Sequence, residues 1–425
     1  MSTGSVLFIN RVYPPDPGAT GQLLAELAPA LVRSGWEVTV LTGSTTRGCV
    51  PGEVAQGVRV EREAAFPFKG ASHWRRGLSY LALYPALLLR ALLLPRADVI
   101  IVMTDPPLLV VLGALLAWLT RARLVHWSQD LYPEVAEELG VLKKRGLVAG
   151  TLRRLSTAAL RRCHTVVAIG HCMRARLEER GLDPARLCVI PNWSAHGLEQ
   201  GGPERAEDFL REQGLRGRFV VMYSGNFGLA HSFEAVLDAA ERLQSAQPSI
   251  VFVLIGHGPR RAWVEQQARD RRLNNLHFLP HQAQRRLREV LAAADVHLAS
   301  MRPELCGLVV PSKVYGILAA GRPCVFLGPR QCEVARLIED YGCGVVLAAD
   351  DGAGLADRLR TWANQPECVA AAAAQSMSLS RVLSLETAVR AFADVLEAAT
   401  RPAASCSPEA DLESQAPALD VTAQK

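Results

Sequence analysis

The sequence predicts an α/β protein: two doubly wound, Rossmann-like domains facing each other across a cleft, followed by a C-terminal helix and a disordered tail. Three observations carry this prediction. Short apolar runs alternate with helical patterns over most of the chain, a polar, Gly-rich stretch from Ser194 to Pro203 interrupts the rhythm, and 425 residues at 49% hydrophobic content exceed what one ordinary core needs.

In the first half the apolar runs are Val6 to Asn10, Val38 to Leu41, Val99 to Met103, Leu124 to Trp127, Thr165 to Ala168 and Leu187 to Ile190, with a helical pattern over Thr20 to Arg33 between the first two. Short runs separated by helix-length stretches suit buried parallel strands with crossover helices. After the interruption, strands are expected to start at Phe219, Ile250, Leu276, Val296, Cys324 and Gly344. The expected domains are 1–195 and 204–384. Leu385 to Ala398 is amphipathic, so 385–400 is expected as a helix returning to the N-terminal domain. Beyond Thr400 the Pro, Ala, Ser and Gln content predicts disorder over 401–425.

Composition removes several classes. The ten cysteines include no C-x-x-C pair, which argues against a zinc framework or a disulfide ladder. The run Val6-Leu7-Phe8-Ile9 is too short for a signal-peptide core, so a cytoplasmic location is expected. A net charge of +5 without aromatic-basic interleaving gives no nucleic-acid footprint. Two leucine-rich stretches fall short of membrane spans: Ser79 to Pro95 is broken by Pro85 and Arg90, and Pro106 to Leu119 has 14 residues where about 20 are needed. Both are expected as helices on a sheet. Arg75, Arg76, Arg90 and Arg96 frame the first stretch, and Arg153, Arg154, Arg161 and Arg162 lie nearby, so a peripheral contact with anionic lipid, at the cytoplasmic face of an inner membrane, is expected.

Candidate binding residues gather at the strand ends. Ser224-Gly225-Asn226-Phe227-Gly228 and Gly256-His257-Gly258-Pro259 each follow an apolar run and precede a helical pattern, a setting in which backbone N–H groups face an anion. Gly225, Asn226 and Gly258 are therefore candidates, with Arg260 or Arg261 beside them. Only five of the 47 basic residues are lysine, and Lys313, in Pro311-Ser312-Lys313, is the one in the body of the C-terminal half. A compact ammonium with Ser312 next to it suits a phosphate, although a surface lysine starting a helix reads the same way. In the N-terminal half, Gly18 and Thr20 follow the first strand, where a glycine permits close approach to a ligand or simply a tight turn. Asp130 follows a later strand and either orients or deprotonates an acceptor hydroxyl or caps the next helix. Gln129 is a further candidate for touching a sugar, while His126 and Trp127 are expected in the core.

At these residues the chain resembles retaining glycosyltransferases of the GT-B fold, family 4, in particular bacterial enzymes of exopolysaccharide and O-antigen synthesis of the fucosamine and colanic acid type. The likeness runs through the Pro-Pro-x-x-Gly loop at Pro14, Gly35 to Thr42, Trp127 to Glu134, Val189 to Asn192, Tyr223 to Gly228, Gly256 to Pro259 and Pro311 to Pro323. The resemblance implies a nucleoside diphosphate sugar, usually of uridine, on the C-terminal domain and a polysaccharide-precursor or lipid-linked acceptor on the N-terminal one. It implies Lys313 on the diphosphate, retention of configuration, and a reaction with no cofactor and no metal. Two glutamates of the family pattern are missing, since Gly316 and Leu308 occupy their places; Glu304 is the nearest carboxylate substitute and the third catalytic candidate after Asp130 and Lys313. A lysine usual after the first glycine turn is replaced by Leu229-Ala230-His231, where His231 is read as a helix cap in preference to a phosphate ligand. The missing glutamates keep a nucleotide-sugar-binding protein without transfer activity as an alternative, and the two-domain scaffold keeps a nucleotide-sugar epimerase, which would need a carboxylate cluster in the cleft.

Overall fold

In the computed structural model the described residues are 3–16, 18–44, 53–64, 73–193 and 203–401. The inter-domain stretch 194–202, the tail from 402, and the side chains of Arg75 and Arg76 lie outside them.

The first sheet has eight strands: β1 (Gly4–Asn10), β2 (Trp36–Ser44), β3 (Glu53–Ala55), β4 (Val58–Ala64), β5 (Val99–Val102), β6 (Arg123–Ser128), β7 (Thr165–Ala168) and β8 (Leu187–Val189). Their order is β3-β4-β2-β1-β5-β6-β7-β8, parallel throughout except for the β3 edge. The helices are α1 (Ala19–Arg33), α2 (His73–Leu93), α3 (Leu109–Thr120), α4 (Glu134–Glu138), α5 (Leu147–Leu160) and α6 (His171–Glu179). β3 and β4 were not foreseen; β4 places the charged Glu61 and Arg62 in the interior, where an apolar residue would mark a strand. Burial of Glu61 is made tolerable by Arg59 at 2.7 Å and Arg90 at 2.6 Å.

The second sheet has six parallel strands: β9 (Phe219–Ser224), β10 (Ile250–Ile255), β11 (Leu276–Leu279), β12 (Val296–Ser300), β13 (Cys324–Leu327) and β14 (Gly344–Leu347). Every expected strand start on this side coincides with an observed one. The order β11-β10-β9-β12-β13-β14 is the doubly wound arrangement, with its topological switch between β9 and β12. Around it lie α7 (Pro203–Glu212), α8 (Glu234–Ala246), α9 (Arg261–Asp270), α10 (Leu287–Ala292), α11 (Lys313–Ala319), α12 (Glu333–Tyr341) and α13 (Gly352–Asn364).

The chain then forms α14 (Pro366–Val382) and α15 (Leu385–Thr400). Taken together, Pro366–Thr400 is long and apolar enough to cross a membrane, with a mean hydropathy of 1.2. The helix breaks after Val382, however, and α15 packs on α1 and β5, with the Phe392 ring meeting Trp127 edge-on at 4.7 Å. Its buried face, Leu385, Ala388, Phe392, Leu396 and Ala399, closes the first core.

The carboxyl ends of the two sheets meet directly. Leu131 donates its N–H to the Leu308 carbonyl at 2.9 Å, and Asp130 forms an antiparallel bridge with Val309. Beside this seam, buried Glu333 at the start of α12 accepts the His171 N–H at the start of α6 (2.6 Å), so one lobe caps a helix of the other.

Candidate active site

The site is built around Lys313, the first residue of α11. Its Nζ donates to Tyr223 Oη at 2.6 Å, lies 3.8 Å from the centre of the Tyr223 ring, and stands 3.5 Å from His231 Nε2. Tyr223 in turn donates its hydroxyl hydrogen bond to the Asn226 carbonyl at 2.7 Å, and burial keeps that phenol protonated. His231 Nδ1 lies 2.6 Å from the Ser300 carbonyl, which assigns the ring proton to Nδ1 and leaves the Nε2 lone pair toward the ammonium. Burial first, and the Lys313 charge second, push the His231 pKa down to about 3. The ammonium thus has only neutral partners: among the described residues, no carboxylate pairs with it. Burial lowers its pKa to about 7.

Glycine makes room for this lysine. A Cβ on Gly225, whose φ is +153°, would stand 3.3 Å from Lys313 Nζ. The two glycine turns also interlock: a Cβ on Gly256 would lie 2.0 Å from the Gly225 carbonyl oxygen, and one on Gly258 2.5 Å from both Asn226 Oδ1 and the Phe227 carbonyl oxygen. Gly225 donates to Ile255 and Phe227 to His257, so part of the backbone expected to meet an anion instead ties the turns together.

Several expectations are corrected. The first glycine turn does not open a helix, because α8 begins only at Glu234, whose own carboxylate accepts the Phe233 N–H at 2.9 Å. His231 is not a cap; it faces Lys313. The Arg260 guanidinium is engaged by the His231 carbonyl (3.0 Å), Glu234 (2.6 Å) and the Trp263 ring, and Arg261 braces the Gly256 and Leu279 carbonyls. Both arginines buttress the turns. Gln129 and Asn192 form a reciprocal buried amide pair at 3.0 and 2.8 Å, which occupies the side chain considered for sugar contact. Glu304 is exposed and pairs with Arg302 at 3.4 Å.

Other candidates stand where the cleft was expected. Ser312 is exposed at the N-cap of α11 and makes no side-chain capping bond. Asn226 is exposed on the rim. Gly18 is the N-cap of α1 in an extended conformation, packed over Val12, and the Thr20 hydroxyl accepts from buried Asn10 at 3.2 Å. Asp130 is half-buried at the seam, and it does not cap α4, whose N-cap is Pro133. Burial first, then the charge of Asp105, push its pKa up to about 7. Asp105 is itself held by Arg11 through two contacts of 2.7 Å. Tyr223, Arg11 and Asp105 were missed as site residues, and His231 was weighed as a phosphate ligand but set aside as a cap; for Tyr223 the readable signal was its position immediately before a glycine turn.

Residues 18–193 match the Glycosyl transferase 4-like domain, and residues 206–376 match the Glycosyl transferases group 1 domain. The chain belongs to the GT-B glycosyltransferases. This glycosyltransferase is 29% identical over 261 residues to the probable glycosyltransferase WbjE of Pseudomonas aeruginosa, covering 61% of this chain and 65% of that one, just under two thirds of the relative's length. It is 29% identical over 353 residues to the putative colanic acid biosynthesis glycosyl transferase WcaI of Escherichia coli K12, covering 77% and 84%. The fold matches the crystal structure of Anabaena HepE in complex with UDP at a TM-score of 0.69 and 17% identity, over 92% of this chain and 99% of that one. Within the glycosyltransferase, Leu308 is a core residue at the lobe seam and Gly316 lies inside α11, so neither place carries a carboxylate.

Proposed function

We propose that the protein transfers a sugar from a uridine diphosphate sugar to a lipid-linked or saccharide acceptor of a cell-envelope polysaccharide, with retention of configuration and with Lys313 as the counter-charge in place of a metal ion. Lys313 is the observation that carries the reading. A half-buried ammonium with only neutral partners calls for an anion, and departure of a diphosphate builds negative charge where a fixed cation lowers the barrier most. The exposed Ser312 hydroxyl beside it adds a neutral donor. Uridine is favoured by the HepE complex with UDP, and the acceptor class by the name of WcaI. Retention rests on the family resemblance.

Asp130 serves the acceptor side. With a pKa near 7 it can take a proton from an attacking hydroxyl near neutral pH, and Arg11 holds the neighbouring Asp105 in place. Because the acceptor is lipid-linked in this reading, transfer is placed at the cytoplasmic face of the inner membrane. A second reading, nucleotide-sugar binding without transfer, is favoured by the exposure of Glu304 and by Leu308 and Gly316 standing where the family pattern has glutamates.

The test is to incubate purified protein with a panel of nucleotide sugars, with and without a membrane extract and with and without chelator, and to measure diphosphate release. Release that persists in chelator and disappears in Lys313→Ala, with the fold intact by circular dichroism, is expected. Undiminished release by that variant would remove the donor site, and UDP binding without any release would favour the second reading.

A further inference from the structure

We infer that the outer face formed by α2, α3 and α5 docks on an anionic lipid bilayer. α3 packs between α2 and α5 on one side of the first sheet. None of the three helices contains an aspartate or a glutamate. Among the described side chains, several large apolar ones face outward: Leu147 is 93% exposed, Leu93 78%, Trp118 72% and Leu89 63%, joined by Leu115 and Leu155. Large apolar side chains exposed on three neighbouring helices mark an interaction face.

Charge decides the partner. Each of the three helices precedes a parallel strand of one sheet, so their C-termini all lie at the edge away from the cleft. Exposed Arg96, Arg121 and Arg162 stand at that edge, and Lys143, Lys144 and Arg145 lie at the opposite end, just before α5. Arg154 sits between them on α5. Among the described residues, only Lys144 of these seven pairs with a carboxylate, Glu138 at 2.6 Å. Two arginines of the sequence reading drop out, since Arg90 is committed to Glu61 and Arg153 to Glu134 and Glu137. The helices of the other lobe are built differently: α9, α12 and α13 each carry internal ion pairs. An apolar face with unneutralised cations at both ends fits a surface that is apolar beneath and negative at the phosphate level. A crevice of about 110 Å³ opens on this face between the ends of α2 and α3, lined by Leu92, Leu94, Leu116 and Leu119 with Arg96 at its rim. It gives apolar groups from the bilayer a place to enter beneath a cation.

The docking deepens the proposed function by placing the acceptor's membrane against the N-terminal lobe. Its test needs no nucleotide sugar, so the two readings fail separately. The full chain is mixed with phosphatidylcholine vesicles, with and without phosphatidylglycerol, and co-sedimentation is measured. Binding is expected only with the anionic lipid. Arg121→Gln with Arg162→Gln should weaken the partition about fivefold per arginine, whereas Arg242→Gln with Arg358→Gln, an equal charge change on the other lobe, should leave it within about twofold. Trp118→Ser with Leu147→Ser should also lose binding, and coincident thermal melts confirm that the fold is kept; if this pair unfolds, the arginine comparison decides alone. Absence of binding to the anionic vesicles overturns the inference, as does an equal loss in both arginine pairs. A dimer in sedimentation equilibrium that Trp118→Ser converts to monomer would assign the face to a second copy and overturn it too.

Discussion

Lys313 touches one aromatic side chain twice: its Nζ is 2.6 Å from the Tyr223 hydroxyl and 3.8 Å from the centre of the same ring. Hydroxyl and π-face together hold the ammonium without adding a negative charge, so the cation is positioned while its charge remains uncompensated.

Replacing this cation should divide binding from stability. Lys313→Met is expected to weaken UDP binding by about 2 kcal/mol in calorimetry, the low end of the cost of truncating one partner of a buried charge pair, because Lys313 is half-buried. Thermal stability without ligand should stay equal or rise by about 1 kcal/mol, because a partly dehydrated charge has been removed. A lower melting temperature together with unchanged UDP affinity would make Lys313 a structural residue.

Binding should follow pH through the same group. The ammonium form holds the diphosphate, and in the free protein that form is lost above a pKa of about 7. UDP affinity should therefore be level below pH 7 and fall by up to tenfold per unit above it, until the bound-state pKa is passed. Calorimetry from pH 6 to 9 checks this, and Lys313→Arg should flatten the profile.

Asp130 works in the opposite direction. Its folded pKa of about 7 lies above the ordinary carboxylate value of 3.8, so the folded state holds the extra proton between those limits. Its contribution is greatest below the lower limit and is lost as pH rises toward 7. Asp130→Asn should accordingly be more stable than the parent at pH 8, by about 1 kcal/mol or more, and nearly equal to it at pH 4. Acceptor transfer should fall at least tenfold while UDP affinity is kept; a destabilised variant at pH 8 would contradict the burial cost.

The glycine turns admit little change. Gly256→Ala would place a Cβ 2.0 Å from the Gly225 carbonyl oxygen at a φ of +136°, and backbone cannot swing aside as a side chain can. A loss of about 2–4 kcal/mol in chemical denaturation is expected. Gly228→Ala, which meets only the Asn226 and His231 side chains at 3.3 Å and beyond, should cost less.

The sheets were legible because parallel strands buried on both faces read as unbroken apolar runs, as in Ile250 to Ile255. The outer strands at that end of the first sheet, β3 and its neighbour β4, were not, since Glu61 is kept in the interior by Arg90, 29 positions away. The site divides the same way. Lys313 stood out by composition and Asp130 by its place after a strand. The commitment of Arg260 to Glu234 and of Gln129 to Asn192 depends on partners 26 and 63 residues distant, which no local pattern records. His231 was read as a cap in preference to a phosphate ligand; the Ser300 carbonyl that fixes its ring comes 69 residues later.

The polypeptide passes from one lobe to the other twice, between β8 and α7 and again between α14 and α15. Two connections limit how far the lobes can part by rotation. Such a rotation would first have to unzip Leu131 from Leu308 and withdraw Glu333 from the end of α6. Entry and exit of substrates would then be timed by a latch of a few hydrogen bonds, and the turnover rate would respond to substitutions in that latch even where no reactant touches it.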